Sequence, residues 1–224
     1  VGAILTNKSP VSLKDVTPIA RLTGEYEAIV VPAASEIQDI GGLIAKLKEN
    51  PGAVSWAGGS AGGTDHIAVG MIAKAAGVDP TKINYIAYSG GGEALAAILG
   101  NQVTAGVSSL GEFEAQVKAG TLRLLAVSAP ERIEGVEAPT LKEAGLDIDL
   151  QNWRMVAAAP GLSDDQKAKI TADIEKMAKS ESWQKQLADK GWMDTFLAGP
   201  AFDEQLAKDE ASTAAILKDI GLVK

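Results

Sequence analysis

Residues 54–66 read VSWAGGSAGGTDH, an apolar run that enters a loop of small residues and ends on the only histidine of the chain. AVSWA (53–57) has the short apolar pattern of a buried strand, and HIAVGMIAKAAG (66–77) carries helical periodicity that stops at Gly77. The order strand, Gly/Ser loop, helix then recurs without any repeat of sequence. INYIAY (83–88), SGGG (89–92) and EALAAILG (93–100) give the second unit, and QVTAGVSS (102–109) with GEFEAQVKAG (111–120) the third. LRLLAVSA (122–129) closes the series as a further strand. This succession predicts an α/β fold with a parallel sheet and helices on its faces.

On either side the pattern turns helical. SEIQDIGGLIAKLKEN (35–50) sets Ile37, Ile40, Leu43, Ile44 and Leu47 on one stripe, weakened by Gly41 and Gly42. IDLQNWRMVAAAPG (148–161) contains an apolar run suited to a strand. Beyond it, Ser163 and Gln166 form a capping-box pair, with Asp164 and Asp165 at the positive end of the helix they open. Two more helices are expected over 182–191 and 200–221, the latter with Pro200 in its first turn.

Bulk composition narrows the function. With 224 residues, 46% of them hydrophobic and 22% charged, the chain can form one large domain or two small ones. A net charge of −8 repels nucleic acid and anionic membrane surfaces. The absence of cysteine removes disulfides, thiolate metal sites and cysteine nucleophiles. No apolar stretch reaches the ~18 residues of a membrane span, so no direct membrane insertion is expected. The start, VGAILTNKSP, carries no charged leader before a long apolar run and reads as a processed or truncated beginning.

Three loops of one composition leave the ends of the expected strands: 58–65 (GGSAGGTD), 88–92 (YSGGG) and 108–111 (SSLG). In a parallel sheet such loops lie side by side and outline a crevice. Glycine lets amides approach a ligand, Ser and Thr add hydroxyls, and each following helix supplies partial positive charge. Together Ser60, Thr64, Ser89, Ser108 and Ser109 with their neighbouring amides describe an anion cradle that needs no fixed cation. A Walker loop is excluded because no Lys follows Gly63, and the dinucleotide spacing G-x-G-x-x-G is absent from 58–63. Carboxylates fit best.

Gly58 to Gly62 also satisfies the G-x-S-x-G nucleophile elbow, with Ser60 as nucleophile, which makes a serine esterase of the α/β-hydrolase type the alternative. That chemistry needs a base arriving from a later loop, whereas His66 lies six residues on in the first helical turn. A lone imidazole without a second His or any Cys is expected to shape the loop rather than bind metal. Asp65 is expected to complement the helix N-terminus and, being negative, not to hold an anion. Tyr88 stands where its hydroxyl could meet a ligand, Trp183 and Trp192 are expected in the core, and the Lys and Glu residues of 164–190 on a solvated face.

The ordered set DVTPIARL, NPGAVSWAGGSAGGTDHIAVGMIAKAAGVDPTKINYIAYSGGGEALAAILGNQVTAGVSS, AGTLRLLAVSAPER, APTLKEAG and NWRMVAAAPGLSDDQ resembles the substrate-binding proteins of tripartite tricarboxylate transporters, the Bug family. The resemblance extends over essentially the whole chain. It implies a two-lobed, type II periplasmic-binding-protein fold with a parallel-sheet second lobe at 34–151. A first lobe, of 1–33 and 152–224, would hold the helical C-terminal segment and lack its N-terminal part.

It further implies a periplasmic receptor, or a lipid-anchored one in Gram-positive bacteria, that closes on a small di- or tricarboxylate. The receptor would be a monomer that hands its ligand to a membrane permease, with no catalytic residue, cofactor or metal. A sensory ligand-binding module remains a further alternative. Carried onto this chain, the ligand residues are Ser60, Ala61, Gly62, Gly63 and Thr64, with His66 in support and Tyr88, Ser89 and Gly90 nearby.

Overall fold

A strand of 16 residues, β1 (Thr17–Pro32), runs through two sheets in the computed structural model, which describes residues 2–223. Its second half lies between β4 (Ala105–Ser109) and β5 (Leu122–Val127), antiparallel to both. β2 (Ser55–Gly58) joins β4 in parallel, and β3 (Asn84–Ala87) joins β2 in parallel, so one sheet has the order β3-β2-β4-β1-β5. The first half of β1 lies between β6 (Gln151–Ala158) and β7 (Met193–Ala198), again antiparallel. The expected parallel run is present in β2, β3 and β4, but β1 interrupts it before β5, and the sheet is mixed.

Nothing in TPIARLTGEYEAIVVP alternates cleanly, and Gly24, Glu25 and Glu27 sit in its middle. The strand forms because both faces of its second half are covered: Ala28, Ile29, Val30 and Val31 are all fully buried. A strand buried on both faces loses the period-two signal and keeps only its β-branched residues as a marker. The change of sheet falls near Tyr26, which pairs with Gln151, and Glu27, which pairs with Ser109; it precedes the 33/34 boundary expected from the sequence.

Helices cover the larger sheet on both faces. α2 (Ile40–Glu49) and α3 (Thr64–Ala75) pack with Ile29, Val31, Trp56 and Val107, and the α2 stripe buries Ile40, Leu43 and Leu47 as its spacing predicts. α4 (Gly91–Leu99) and α5 (Leu110–Lys118) cover the other face through Ile98 and Phe113, against Ala28 and Val30. Each such side chain contributes about 1.5–3 kcal/mol on full burial. Around the smaller sheet stand α6 (Asp164–Ala178), α7 (Glu181–Lys190) and α8 (Gly199–Asp219), while α1 (Gly2–Thr6) touches α8. The capping box of Ser163 and Gln166 forms as expected, and Gly191 ends α7 in the left-handed conformation at φ 62°. Ile67 of α3 meets Ile216, Leu217 and Ile220, so α8 also ties the two halves together.

The chain crosses between the sheets twice, at Tyr26–Glu27 and again at Leu150–Gln151, and Ser128 joins the crossings. Its hydroxyl donates to the Leu150 carbonyl at 2.6 Å and accepts from the Glu27 amide at 2.9 Å, fully buried. Ser128→Ala should leave that amide unsatisfied and cost about 1–3 kcal/mol. This corresponds to a fall in melting temperature of about 2–4 °C per kcal/mol for a chain of this size. An unchanged melting temperature in scanning calorimetry would remove Ser128 from this role.

Candidate ligand-binding site

Two cavities flank the loop that follows β2. The first, of about 440 Å³, gathers the starts of all three Gly/Ser loops: Gly59 and Asp65, Gly90 and Gly91, and Ser108, Ser109, Gly111 and Glu112. Glu25, Asn152, Arg154, Lys190 and Trp192 close it from the smaller-sheet side. The second, of about 900 Å³, takes Gly62, Gly63 and Thr64 of the same loop, with Arg21 and Tyr26 of β1, Trp153 of β6 and the inner face of α8. Asn152 belongs to both walls, and the Thr64 hydroxyl donates to its Oδ1 at 3.4 Å. The residues expected to form one cradle are therefore divided: Gly90, Ser108 and Ser109 face one cavity, Gly62, Gly63 and Thr64 the other, and Ser60 and Ala61 line neither.

The backbone of 59–66 explains the division. The Gly59 amide donates to Asp65 Oδ2 at 2.6 Å, and the Tyr85 hydroxyl donates to the Gly59 carbonyl at 2.8 Å. His66 lies beneath, 8% exposed, stacked on Tyr85 at 4.0 Å and accepting the Gly62 amide on Nδ1 at 3.3 Å. Burial pushes its imidazole down to about 4, so it stays neutral and able to accept. Gly62 adopts φ +78°, which favours glycine and turns the chain toward the second cavity. The amides of Ser60, Ala61 and Thr64 have no hydrogen-bond partner among the described residues, and Gly63 caps α3 with no side chain of its own. The start of this 12-residue helix thus offers bare donors.

In the first cavity several polar groups are already engaged. Ser108 donates its hydroxyl to Glu112, and a side chain at Gly91 would run into the Glu112 carboxylate, which stands against the start of α4. Arg154 donates to Glu25 at 2.6 Å, and the Trp192 ring carries Arg154 at 5.3 Å and Lys190 at 5.2 Å from its centroid. Near these groups Glu27 is fully buried, with neither carboxylate oxygen hydrogen-bonded among the described residues. Burial, then Asp65, Glu25 and Glu112, raise its carboxyl well above the usual range against the pull of Arg154. Burial likewise raises Asp65, opposed by the Gly59 amide.

Several sequence expectations change. Trp192 is not core but a cavity wall, Lys190 is not on an idle solvated face, and two fixed cations stand where none was expected. Asp65 ties the loop instead of merely facing the dipole. Tyr88 lines neither cavity; its ring packs against the Ala28–Ile98 cluster, and Tyr85 is the tyrosine that holds the loop. Ser89 also lies outside both, its amide donating to Glu93. The imidazole that a Ser60 elbow would need is committed to Gly62 and Tyr85. Glu25, Glu112, Arg154, Lys190 and Trp192 were missed because each comes from a different element, at no spacing that a motif could reveal.

Comparison with known proteins agrees with this architecture. Residues 5–222 match the family model described as tripartite tricarboxylate transporter family receptor. A UPF0065 protein of Cupriavidus necator is 27% identical over 213 residues, 95% of this chain and 64% of that protein. The chain therefore spans somewhat less than two thirds of that relative's length. A TctC solute-binding protein from Polaromonas, solved without ligand, superposes with a TM-score of 0.77 at 28% identity, covering 95% of this chain and 72% of the other. MatC from Rhodopseudomonas palustris, with bound malate, gives 0.74 at 20% identity over 100% and 76%. The fold is the two-lobed one of these receptors.

Because the folded protein keeps Glu27 protonated above the ordinary carboxyl value of 4.5, it binds a proton there that the unfolded chain has lost. That linkage makes stability fall as pH rises from about 4.5 toward the raised value. Glu27→Gln preserves the shape without the charge. Its melting temperature should exceed the parent's at pH 8, and the gain should shrink toward zero near pH 4. A difference independent of pH would show that Glu27 is charged in the fold.

Proposed function

We infer the role of this chain from the family to which it belongs, the receptors of tripartite tricarboxylate transporters, and from the bare amides at the start of α3. It is an extracytoplasmic receptor, periplasmic where an outer membrane exists, that captures a small carboxylate and delivers it to a membrane permease. The observation that supports the ligand class is the set of donors on Ser60, Ala61 and Thr64 without a partner among the described residues, at the positive end of a 12-residue helix, with Gly62, Gly63 and Thr64 on the wall of the second cavity. A carboxylate there accepts charge-assisted hydrogen bonds without an ion-pair partner. The malate held by MatC, a protein of the same fold, is in keeping with this class.

The two halves act as lobes: residues 27–150 form one, and 2–26 with 151–223 the other. Two adjacent crossings make a narrow hinge, the arrangement from which hinge closure arises. A ligand between the loops and the smaller sheet would be enclosed as the lobes approach. No step of this role is catalytic, and neither metal nor cofactor takes part.

Thr64 provides a clean test. It occupies the first helical position, and Gly63 before it is extended at φ −74° and ψ 177°, a conformation that tolerates a following proline. Thr64→Pro deletes one amide donor and keeps the helix, while Thr64→Val deletes only the hydroxyl. In calorimetric titration of the full-length protein with succinate, malate, adipate and citrate, at least one should bind. Thr64→Pro should weaken it by about tenfold or more, as expected for one hydrogen bond to a charged group. Equal affinity in Thr64→Pro, or binding confined to uncharged solutes, would overturn the reading.

A further inference from the structure

The amides of Ser60, Ala61 and Thr64, which have no partner among the described residues, each belong to a peptide unit whose carbonyl is held. A trans peptide is planar, so the carbonyl of one residue and the amide of the next point in opposite directions. Fixing the carbonyl therefore aims the amide. The Gly63 carbonyl accepts from the Ile67 amide at 3.0 Å, which aims the Thr64 amide. The Ser60 carbonyl accepts from the Gly63 amide at 2.8 Å, which aims that of Ala61. Both of these holds come from the loop and its own helix. The Ser60 amide differs, because it shares its peptide unit with the Gly59 carbonyl, which accepts from the Tyr85 hydroxyl, 26 positions away on β3.

The preceding peptide unit is held at both ends: the Tyr88 amide donates to the Gly58 carbonyl at 2.9 Å, and the Gly59 amide to Asp65. Tyr85 is thus the last anchor before the chain leaves the sheet. Its surroundings hold it in turn. A side chain at Gly58 would come within 2.5 Å of the Tyr85 oxygen, so glycine there leaves room for the hydroxyl. The ring lies on His66 with the two planes 5° from parallel, which restrains it from swinging. Burial, then the charges of Asp65 and Glu27, push the hydroxyl up, and it stays protonated as a donor.

We propose that Tyr85 is a positioning residue for the carboxylate: without touching the ligand, its hydroxyl turns the Gly59–Ser60 peptide so that the Ser60 amide points away from Tyr85 as a donor. This rests on the carboxylate reading given above and adds the side chain on which one of its donors depends. The orientation is set when the protein folds, so it need not be found again at each capture, and affinity gains accordingly.

Tyr85→Phe removes the hydroxyl and keeps the ring on His66. Isotope-labelled full-length protein is titrated with succinate, malate, adipate and citrate, and the tightest binder is followed by calorimetry and by amide spectra at saturation. Affinity should fall about three- to tenfold in Tyr85→Phe, the effect of one hydrogen bond. The shift that the ligand induces at the Ser60 amide should shrink, while that at Thr64 keeps its size; a general loosening of the loop would reduce both. In the unliganded parent the Ser60 amide should already be ordered, with an order parameter of about 0.85. Unchanged affinity in Tyr85→Phe, or equal losses of shift at Ser60 and Thr64, overturns the positioning role and leaves the carboxylate reading standing. An order parameter below about 0.6 for Ser60 in the parent overturns it as well, even if the variant fails to fold. Binding of none of the four by the parent overturns both.

Discussion

The continuity of β1 is the constraint on which the remaining architecture depends. One strand pairs with four others, two in each sheet, so both halves of the molecule take their register from a single stretch of backbone. Antiparallel pairing fixes which side chains face which, and a slip of one residue would exchange the two faces. Glu25 and Glu27 owe their positions to this. They lie where the strand passes from one sheet to the other.

A carboxyl buried there without a partner is a persistent cost, and folding alone gives no reason for it. Polar groups that remain unsatisfied in a well-packed interior tend to stand beside functional sites, where the surrounding fold holds them in place. The neighbours of Glu27 fit that pattern: Asp65 fastens the loop after β2, Glu112 stands against the start of α4, and Glu25 pairs with Arg154 of β6. Electrostatics in this region couples the loops to the smaller sheet, and any relative movement of the halves changes how these charges are screened.

The loop after β2 shows how a short segment serves two cavities. Glycine at 62 permits the positive φ that turns the backbone, Asp65 and Tyr85 pin Gly59, and the amides of Ser60, Ala61 and Thr64 have no partner among the described residues. His66 supports the turn from below as a neutral acceptor, which its burial guarantees across the neutral range. Packing, hydrogen bonding and proton affinity all act through the same few atoms, so the loop is rigid where it binds the sheet and open where it meets solvent.

Local order was legible in the residues themselves. The stripe of α2, the stop at Gly77, the capping box at Ser163 and the three strand-loop-helix units follow from periodicities and caps that span fewer than about twenty residues. The glycine-rich turn of 58–64 between β2 and α3 was legible too. The tertiary structure alone decided that Thr17–Pro32 is the central strand, that Tyr85 and not Tyr88 holds the loop, and that Trp192, Lys190 and Arg154 meet Glu25 and Glu112 across a cavity. Those pairings join residues distant in sequence, 26 positions for Tyr85 and Gly59 and 129 for Glu25 and Arg154, and their stability comes from burial on both faces and from charges that become neighbours only after folding. A pattern read along the chain carries the preferences of each segment, but not which segments will share a wall.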